Sequence, residues 1–287
     1  MQKPEGLQIG LEPGGNMPSL SYILVERLDS FRSLQDLQSV LRHVKALGYD
    51  GVELNLTPNL AFEMDALARF AETIQLPVVS FLSGANYFSE RICLCSPNPE
   101  VRHRAVRRLQ EFVSVAGRFG AVLVVGQMQG FLSDEPDQAK GEARIEACLS
   151  EVVKAAEQHG TTIAFEPVNH LQVGFHNTLE AVMELARRIG SPCLKPMLDS
   201  FHMNIEETSL TEPILRAANQ LAHFHLCESN GGFLGSGHLN LSSIFAALGK
   251  VGYRGFVSVK VYRHPWRMGA EKSIHHLQQL LQRQSKE

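Results

Sequence analysis

Three apolar runs in the second half of the chain break on residues that can bind cations or move protons. One reads Ile163-Ala164-Phe165 and stops at Glu166, followed by Pro167-Val168-Asn169. The next reads Met197-Leu198 and stops at Asp199, followed by Ser200-Phe201-His202. The third carries imidazoles at alternate positions, His223 and His225, and ends at Cys227-Glu228. Two carboxylates and an imidazole offer the oxygen and nitrogen donors that suit a divalent cation such as Mn, Mg, Zn or Co. The same groups form an acid/base set that needs no metal. Each also has an ordinary structural use. A carboxylate closing a strand often caps the next helix, and one of two histidines on a strand face can be a hydrogen-bonded packing residue. Their recurrence at the ends of successive runs favours a shared site.

Residues so far apart in sequence can meet only if the intervening elements carry them to one place. Eight short apolar or β-branched runs read as strands: residues 7–11, 51–56, 77–82, 121–126, 161–166, 195–199, 222–226 and 256–261. Most are continuously apolar rather than alternating, as expected of strands covered by helices. Between them lie segments of helical period, over 100–119, 141–159, 179–189 and 241–248. In the first, Val101, Ala105, Leu109, Phe112, Val115 and Phe119 fall on one face. Two connections echo each other, Leu47-Gly48-Tyr49-Asp50-Gly51-Val52 and Val251-Gly252-Tyr253-Arg254-Gly255-Phe256. Alternating β and α units imply a parallel sheet. Eight of them favour a closed (β/α)₈ TIM barrel over an open sheet, and no GxGxxG follows the first run. No linker or second-domain boundary interrupts the chain, so one barrel domain over 1–287 is expected. In such a barrel the C-terminal strand ends converge on one mouth, where active sites sit.

Composition narrows the function class. The 287 residues are 44% hydrophobic with a formal net charge of −3, and no basic block supports binding of a nucleic acid. The five cysteines lack CxxC spacing and read as reduced thiols of a cytoplasmic protein. The first ten residues lack the charged and apolar regions of a signal peptide, and no run reaches the length of a membrane span.

The stretch Phe165-Glu166-Pro167-Val168-Asn169, the stretch from Met197 through Asp199-Ser200-Phe201-His202 to Glu207, and the loop Gly235-Ser236-Gly237-His238-Leu239-Asn240 resemble the xylose-isomerase-like sugar isomerase/epimerase superfamily. They are most similar to ketose 3-epimerases of the D-tagatose 3-epimerase type. The resemblance implies one divalent cation, often Mn²⁺, held by Glu, Asp, His and Glu from strands five to eight. That ion would bind two adjacent oxygens of an open-chain sugar while carboxylates move a proton beside the carbonyl. As a Lewis acid it would stabilise the enediolate. Matched motif to motif, the ligands fall on Glu166, Asp199 and His225, and a substrate-contacting His falls on His202. The resemblance also implies a sugar or polyol-derived substrate and a homo-oligomer.

Three positions depart from that pattern. The strand-eight Glu, both ligand and acid/base in the family, falls on Lys260. A substrate-contacting Glu falls on Gln172, and a substrate-contacting Arg falls on Gly231. An ammonium among metal ligands is repulsive, on the order of several kcal/mol per opposing unit charge at an effective dielectric of about 20. Several arrangements stay open. Lys260 replaces the ion and pairs with Glu166 and Asp199 in a metal-free site. Or a metal binds through Glu166, Asp199, His225 and water, with Lys260 displaced or neutral and acting as an acid/base. Or Lys260 forms a Schiff base with a carbonyl substrate. Or it is a strand-end ion-pair partner without a chemical role.

Around this set, Glu53 ends the second strand and is either near substrate or in a buried ion pair. Asn86, Tyr87, Gln127 and Gln129 follow strands three and four, where amides suit hydroxyl-rich ligands. Glu228 and Asn230 sit where they can orient the site. Arg263, His264, Trp266 and Arg267 follow strand eight and offer contacts to substrate at the mouth, or simply a basic loop. The reading is an enzyme that isomerises or epimerises a polyhydroxy carbonyl compound through an enediolate. The alternatives are a dehydratase-like lyase and a sugar-binding or inactive barrel that has lost its second carboxylate. A DNA-repair nuclease resembling endonuclease IV is disfavoured, because three zinc ions need more ligands than are present.

Overall fold

The β-branched and aromatic runs fold as strands, and the amphipathic segments between them fold as helices that cover those strands. A computed structural model describes residues 18–60 and 62–284. The strands are β1 (Leu20–Arg27), β2 (Gly51–Asn55), β3 (Val78–Leu82), β4 (Val122–Val125), β5 (Ile163–Phe165), β6 (Leu194–Asp199), β7 (His223–Cys227) and β8 (Val257–Lys260). Consecutive strands pair in parallel, and β8 pairs with β1 through Leu20↔Val257 and Ser21↔Ser258, which closes an eight-stranded barrel. This is the expected (β/α)₈ TIM barrel. The helices are α1 (Leu34–Ala46), α2 (Met64–Thr73), α3 (Ala85–Glu90), α4 (Pro99–Phe119), α5 (Gln138–His159), α6 (Leu179–Ile189), α7 (Ser200–Glu206), α8 (Glu212–Ala217), α9 (Leu241–Lys250) and α10 (Trp266–Gln284).

The expected first strand was misplaced. Residues 7–11 lie outside the described residues, and the strand that closes the barrel is Leu20–Arg27. The strand Leu20–Arg27 is longer than the glycine-flanked run at 7–11 and carries two β-branched residues, Ile23 and Val25, against one, and Tyr22, Ile23 and Leu24 are buried. The other seven strands match the expected runs, with β6 beginning one residue earlier at Leu194 and β7 ending one residue later at Cys227.

Helix boundaries follow local chemistry. The side chains of Ser33, Asn98, Asp137, Thr178 and Asn240 accept backbone N–H groups at the starts of α1, α4, α5, α6 and α9. Pro99 opens α4, where its missing N–H costs nothing. The paired Gly-Tyr connections work as their recurrence implied. Gly48 and Gly252 have φ of 99° and 65°, so each turns the chain out of a helix toward a strand.

Alternation along the strands divides the interior in two. Outward residues such as Leu24, Leu54, Phe81, Leu123, Phe165, Leu198, Phe224 and Val259 pack under the helices. Inward residues Ile23, Leu82, Val124, Ala164 and Met197 form a separate apolar cluster inside the barrel. The same inward parity puts Glu53, Asp199, His223, His225, Ser258 and Lys260 in the lumen. Among the described residues no helix is long and apolar enough to cross a membrane.

Candidate active site

Strands β5 to β8 each bring a lumen-facing polar side chain to the mouth. Glu166 directly follows β5. Its position relies on Gly126, the residue after β4, because a Cβ there would overlap the Glu166 carboxylate and lie 2.9 Å from Val168 Cγ2. Gln129 adds a second restraint, its side-chain amide donating to the Glu166 carbonyl at 3.1 Å. Asp199 closes β6 and does two jobs. Its Oδ1 accepts the Phe201 N–H at 2.8 Å and caps α7, while Oδ2 turns to the lumen. His225 is paired in register with Asp199, and Lys260 ends β8.

These four side chains meet. Lys260 Nζ donates to Asp199 Oδ2 at 3.0 Å and to Glu166 Oε1 at 3.5 Å, and it lies 3.5 Å from His225 Nδ1. His225 Nδ1 is 3.3 Å from Glu166 Oε1 and 3.5 Å from Asp199 Oδ2. Below them Glu53 is fully buried between His223 and His225; His225 Nε2 is 3.1 Å from Glu53 Oε2, and His223 Nε2 contacts Oε1. His202, on α7, points Nε2 at the same carboxylates, 3.8 Å from Glu166 Oε1 and 3.9 Å from Asp199 Oδ2.

The protonation pattern follows from this packing. Burial alone would raise the Glu166 carboxyl, but the adjacent Lys260 ammonium outweighs it and holds the group at about 2. Asp199 is likewise opposed by burial and carried well below the carboxylate range by Lys260 and His202. Burial works against the Lys260 charge, yet Asp199 and Glu166 keep its pKa well above that of a free lysine. Burial lowers His225 as well, but Glu53 overrides it and the imidazole is raised. His202 is lowered, chiefly by burial. Its tautomer can be deduced. Asn169 Oδ1 accepts the Leu171 N–H at 3.1 Å, so its Nδ2 is the donor to His202 Nδ1 at 2.7 Å. The His202 proton therefore sits on Nε2, aimed at the carboxylates.

Above this cluster lies a cavity of about 370 Å³ at the C-terminal mouth. Glu166, His202 and Lys260 form part of its wall, with Arg27, Asn55, Gln127 and Tyr262. The last residue lies beside the ammonium, with Lys260 Nζ 5.1 Å from the Tyr262 ring centroid.

The residues read from sequence as substrate contacts separate into groups. Glu166, Lys260 and His202 border the cavity. Glu53 lies beneath the cluster in a buried pair with both histidines, the second of the two uses open to it. Gln172 is half-buried, 3.5 Å from the cavity residue Gln127, and does not itself border the cavity. Glu228 is turned into the glycine loop, where its carboxylate accepts the N–H groups of Ser229 and Gly235 at 3.1 and 2.9 Å. Arg263 is exposed outside the cavity wall, its backbone N–H bound to Gly231 O at 3.1 Å. Arg27, Asn55, Gly126, Asn169 and Tyr262 were not singled out by sequence reasoning. Tyr262 was the most accessible of these, an aromatic two residues beyond Lys260.

Spacing alone would admit a cation, since donor atoms of Glu166, Asp199 and His225 lie within 4.8 Å of one another. A bound ion would need donors at about 2.0–2.2 Å. The place between them is instead taken by Lys260 Nζ, within 3.5 Å of all three donors. The residues present therefore do not fit a resident divalent ion.

Comparison with known proteins agrees with this architecture. The family model of the xylose isomerase-like TIM barrel matches residues 41–280. A ketose 3-epimerase of Arthrobacter globiformis is 28% identical over 217 residues, covering 75% of this chain and 74% of its own. An L-ribulose 3-epimerase of Mesorhizobium japonicum is 30% identical over 223 residues, covering 76% and 73%. The solved structure of an L-ribulose 3-epimerase superposes with a TM-score of 0.79 at 22% identity, covering 94% of this chain and 97% of that one.

Proposed function

The chain belongs to the xylose isomerase-like TIM barrel family, and on that premise we propose that it isomerises or epimerises a small polyhydroxy carbonyl compound, a ketose or keto-polyol, by moving a proton on the carbon next to the carbonyl. The observation that carries this reading is the convergence of Glu166, Lys260 and His202 on one wall of a small cavity at the barrel mouth. A volume of about 370 Å³ suits a small ligand.

In this reading Glu166 takes the proton. Buried and held ionised, it is ready to act as base. When Lys260 shifts a hydrogen bond from Glu166 to a substrate oxygen, the carboxylate loses its stabilising partner and becomes more basic. The charge that develops on that oxygen meets the Lys260 ammonium and the His202 Nε2–H. Donors already in place before charge forms are what such a step requires. Gln127 and Asn55 supply amides of the kind that orient sugar hydroxyls.

A second reading, elimination of water across the same enediolate, is favoured by one feature. Glu166 and Lys260 sit side by side, 3.5 Å apart. Adjacent groups can remove a proton and assist a leaving hydroxyl on the same side, whereas inversion at carbon needs a donor on the opposite face.

The test is proton exchange in D₂O, followed by NMR with a panel of ketoses and inososes. The proposal expects deuterium at the carbon beside the carbonyl, accompanied by an isomer or epimer, and loss of exchange in Glu166→Gln. A dehydrated product would select the second reading. Ligand-induced stabilisation with no exchange in the whole panel would mean a sugar-binding barrel and end the catalytic account.

A further inference from the structure

We propose that the Lys260 ammonium is a built-in replacement for a divalent cation, so that this barrel excludes metal and uses Lys260 itself as the electrophile. Exclusion of metal stands on the geometry and charge of the site. The catalytic half rests on the proton-transfer reading above.

Lys260 Nζ has two carboxylate partners, Asp199 Oδ2 at 3.0 Å and Glu166 Oε1 at 3.5 Å, and the third potential metal donor, His225 Nδ1, is 3.5 Å away. An ion shared by those three donors would have to occupy the space of the ammonium. Lys260 is only 7% exposed. Its stem rises from the last residue of β8, inside the closed sheet, so moving it aside would leave two buried carboxylates without their cation.

A site with Glu166, Asp199, a carboxylate at 260 and a divalent ion carries −3 and +2. The site as it stands carries −2 from Glu166 and Asp199 and +1 from Lys260, with the raised His225 imidazole offset by Glu53 beneath it. Both sums are −1. Exchanging a carboxylate for an ammonium at position 260 changes the local charge by two units, the amount the ion would supply. The buried cluster is thus neutralised to the same degree without an ion, and an added ion would overcharge it.

Lys260 borders the cavity with Glu166 and His202. An ammonium has three N–H groups, held in the free site by Asp199, Glu166 and Tyr262. The one released from Glu166 serves an oxygen in the cavity, next to the His202 Nε2–H. Two fixed donors beside one carboxylate base supply the charge stabilisation that a Lewis acid would otherwise provide. In the proton-transfer step the C–H bond breaks, its proton passes to Glu166, and the electron pair moves onto the carbonyl oxygen held by Lys260. Glu166 then gives the proton to the former carbonyl carbon while the hydroxyl proton on the first carbon moves to the oxygen held by Lys260, so a C=O forms where the C–H bond broke and the cycle closes with no net redox change.

Calorimetric titration with MnCl₂ alone tests this on wild type and on Lys260→Glu. Wild type is expected to show no saturable binding at roughly 1 mM Mn²⁺, and Lys260→Glu to bind at least about 100-fold more tightly. One Mn²⁺ per wild-type chain, lost in Glu166→Gln, would overturn the proposal. A measurement on wild type covers misfolding of the variant. Its thermal midpoint should be the same in Mn²⁺ and in EDTA, and a Mn²⁺-dependent rise that Glu166→Gln abolishes would again overturn the proposal. Deuterium exchange separates the two claims. Exchange that is unaffected by EDTA and falls by about 10²–10³ in Lys260→Gln supports the electrophilic role, and exchange that requires added Mn²⁺ refutes it. Absence of exchange in every substrate would remove the proton-transfer reading and the catalytic role with it, while leaving metal exclusion to stand on the titration.

Discussion

Replacing Lys260 by Met keeps the volume and removes the charge, and its cost can be worked out from the cluster. At an effective dielectric of about 20, contacts of 3.0 and 3.5 Å each correspond to roughly 5 kcal/mol of Coulomb energy. The loss will be smaller than their sum, because a stranded carboxyl can take up a proton. For Glu166, returning from about 2 to the ordinary 4.5 costs about 3 kcal/mol. That falls at the lower edge of the ~3–5 kcal/mol seen when one partner of a buried pair is removed. We therefore expect Lys260→Met to lose ~3–5 kcal/mol at pH 7.5, a fall of roughly 6–12 °C in thermal midpoint for a chain of this length. The sign with pH follows from linkage. A carboxyl whose folded pKa is depressed contributes stability above its unfolded pKa and loses it as pH falls through the folded value. The gap between wild type and variant should be full above pH 5 and narrow as pH drops below about 4.5. Urea unfolding of both proteins at pH 7.5 and at about pH 3 measures it. Equal stabilities at pH 7.5, or a gap that widens in acid, would show that the ammonium does not neutralise these carboxylates.

Other expectations follow from single contacts. Gly126→Ala places a methyl against the Glu166 carboxylate and should cost about 1–3 kcal/mol of stability and about 100-fold in exchange rate; an unchanged rate would mean that Glu166 is not held from this side. Asn169→Ala frees His202 Nδ1 and should lower kcat/KM about tenfold, the value of one buried hydrogen bond, with a changed pH profile that a purely structural loss would not produce. Burial lowers His176 to about 4; its Nδ1 contacts Gln129 Oε1 at 3.1 Å, while Nε2 is buried without a partner and so cannot accept a proton cheaply. Stability tied to this group is complete above pH 6.5 and is lost as pH falls toward 4, by up to about 3 kcal/mol. Urea midpoints of His176→Gln should fall less steeply over that range than those of wild type, and parallel curves would count against the assignment.

Much of the barrel could be read from the chain because strand and helix periods are local. Seven strand runs, four helices and the Gly48 and Gly252 turns followed from residues within one element. The first strand did not, because two apolar runs competed near the N-terminus and the decisive fact, pairing of Leu20 and Ser21 with β8, spans more than 230 positions. The site shows the same division. Glu166, Asp199 and His225 were visible as polar breaks at strand ends, and Lys260 became visible once motifs were matched. Whether Lys260 pointed into the lumen depended on β8 register. The pairing of Glu53 with His223 and His225, and the turning of Glu228 into the glycine loop, are contacts across the barrel or back along a loop, and no local period encodes them. Arg27, Asn55 and Tyr262 reach the cavity by strand tilt and loop course, which a linear reading does not supply.

The account rests on a positive nitrogen at the centre of Glu166, Asp199 and His225. Crystals soaked in Mn²⁺ and measured for anomalous scattering address that directly. The expected map has no anomalous peak there and shows Lys260 Nζ within hydrogen-bonding distance of Asp199 and Glu166. A manganese peak coordinated by Glu166, Asp199 and His225, with Lys260 swung aside, would contradict it.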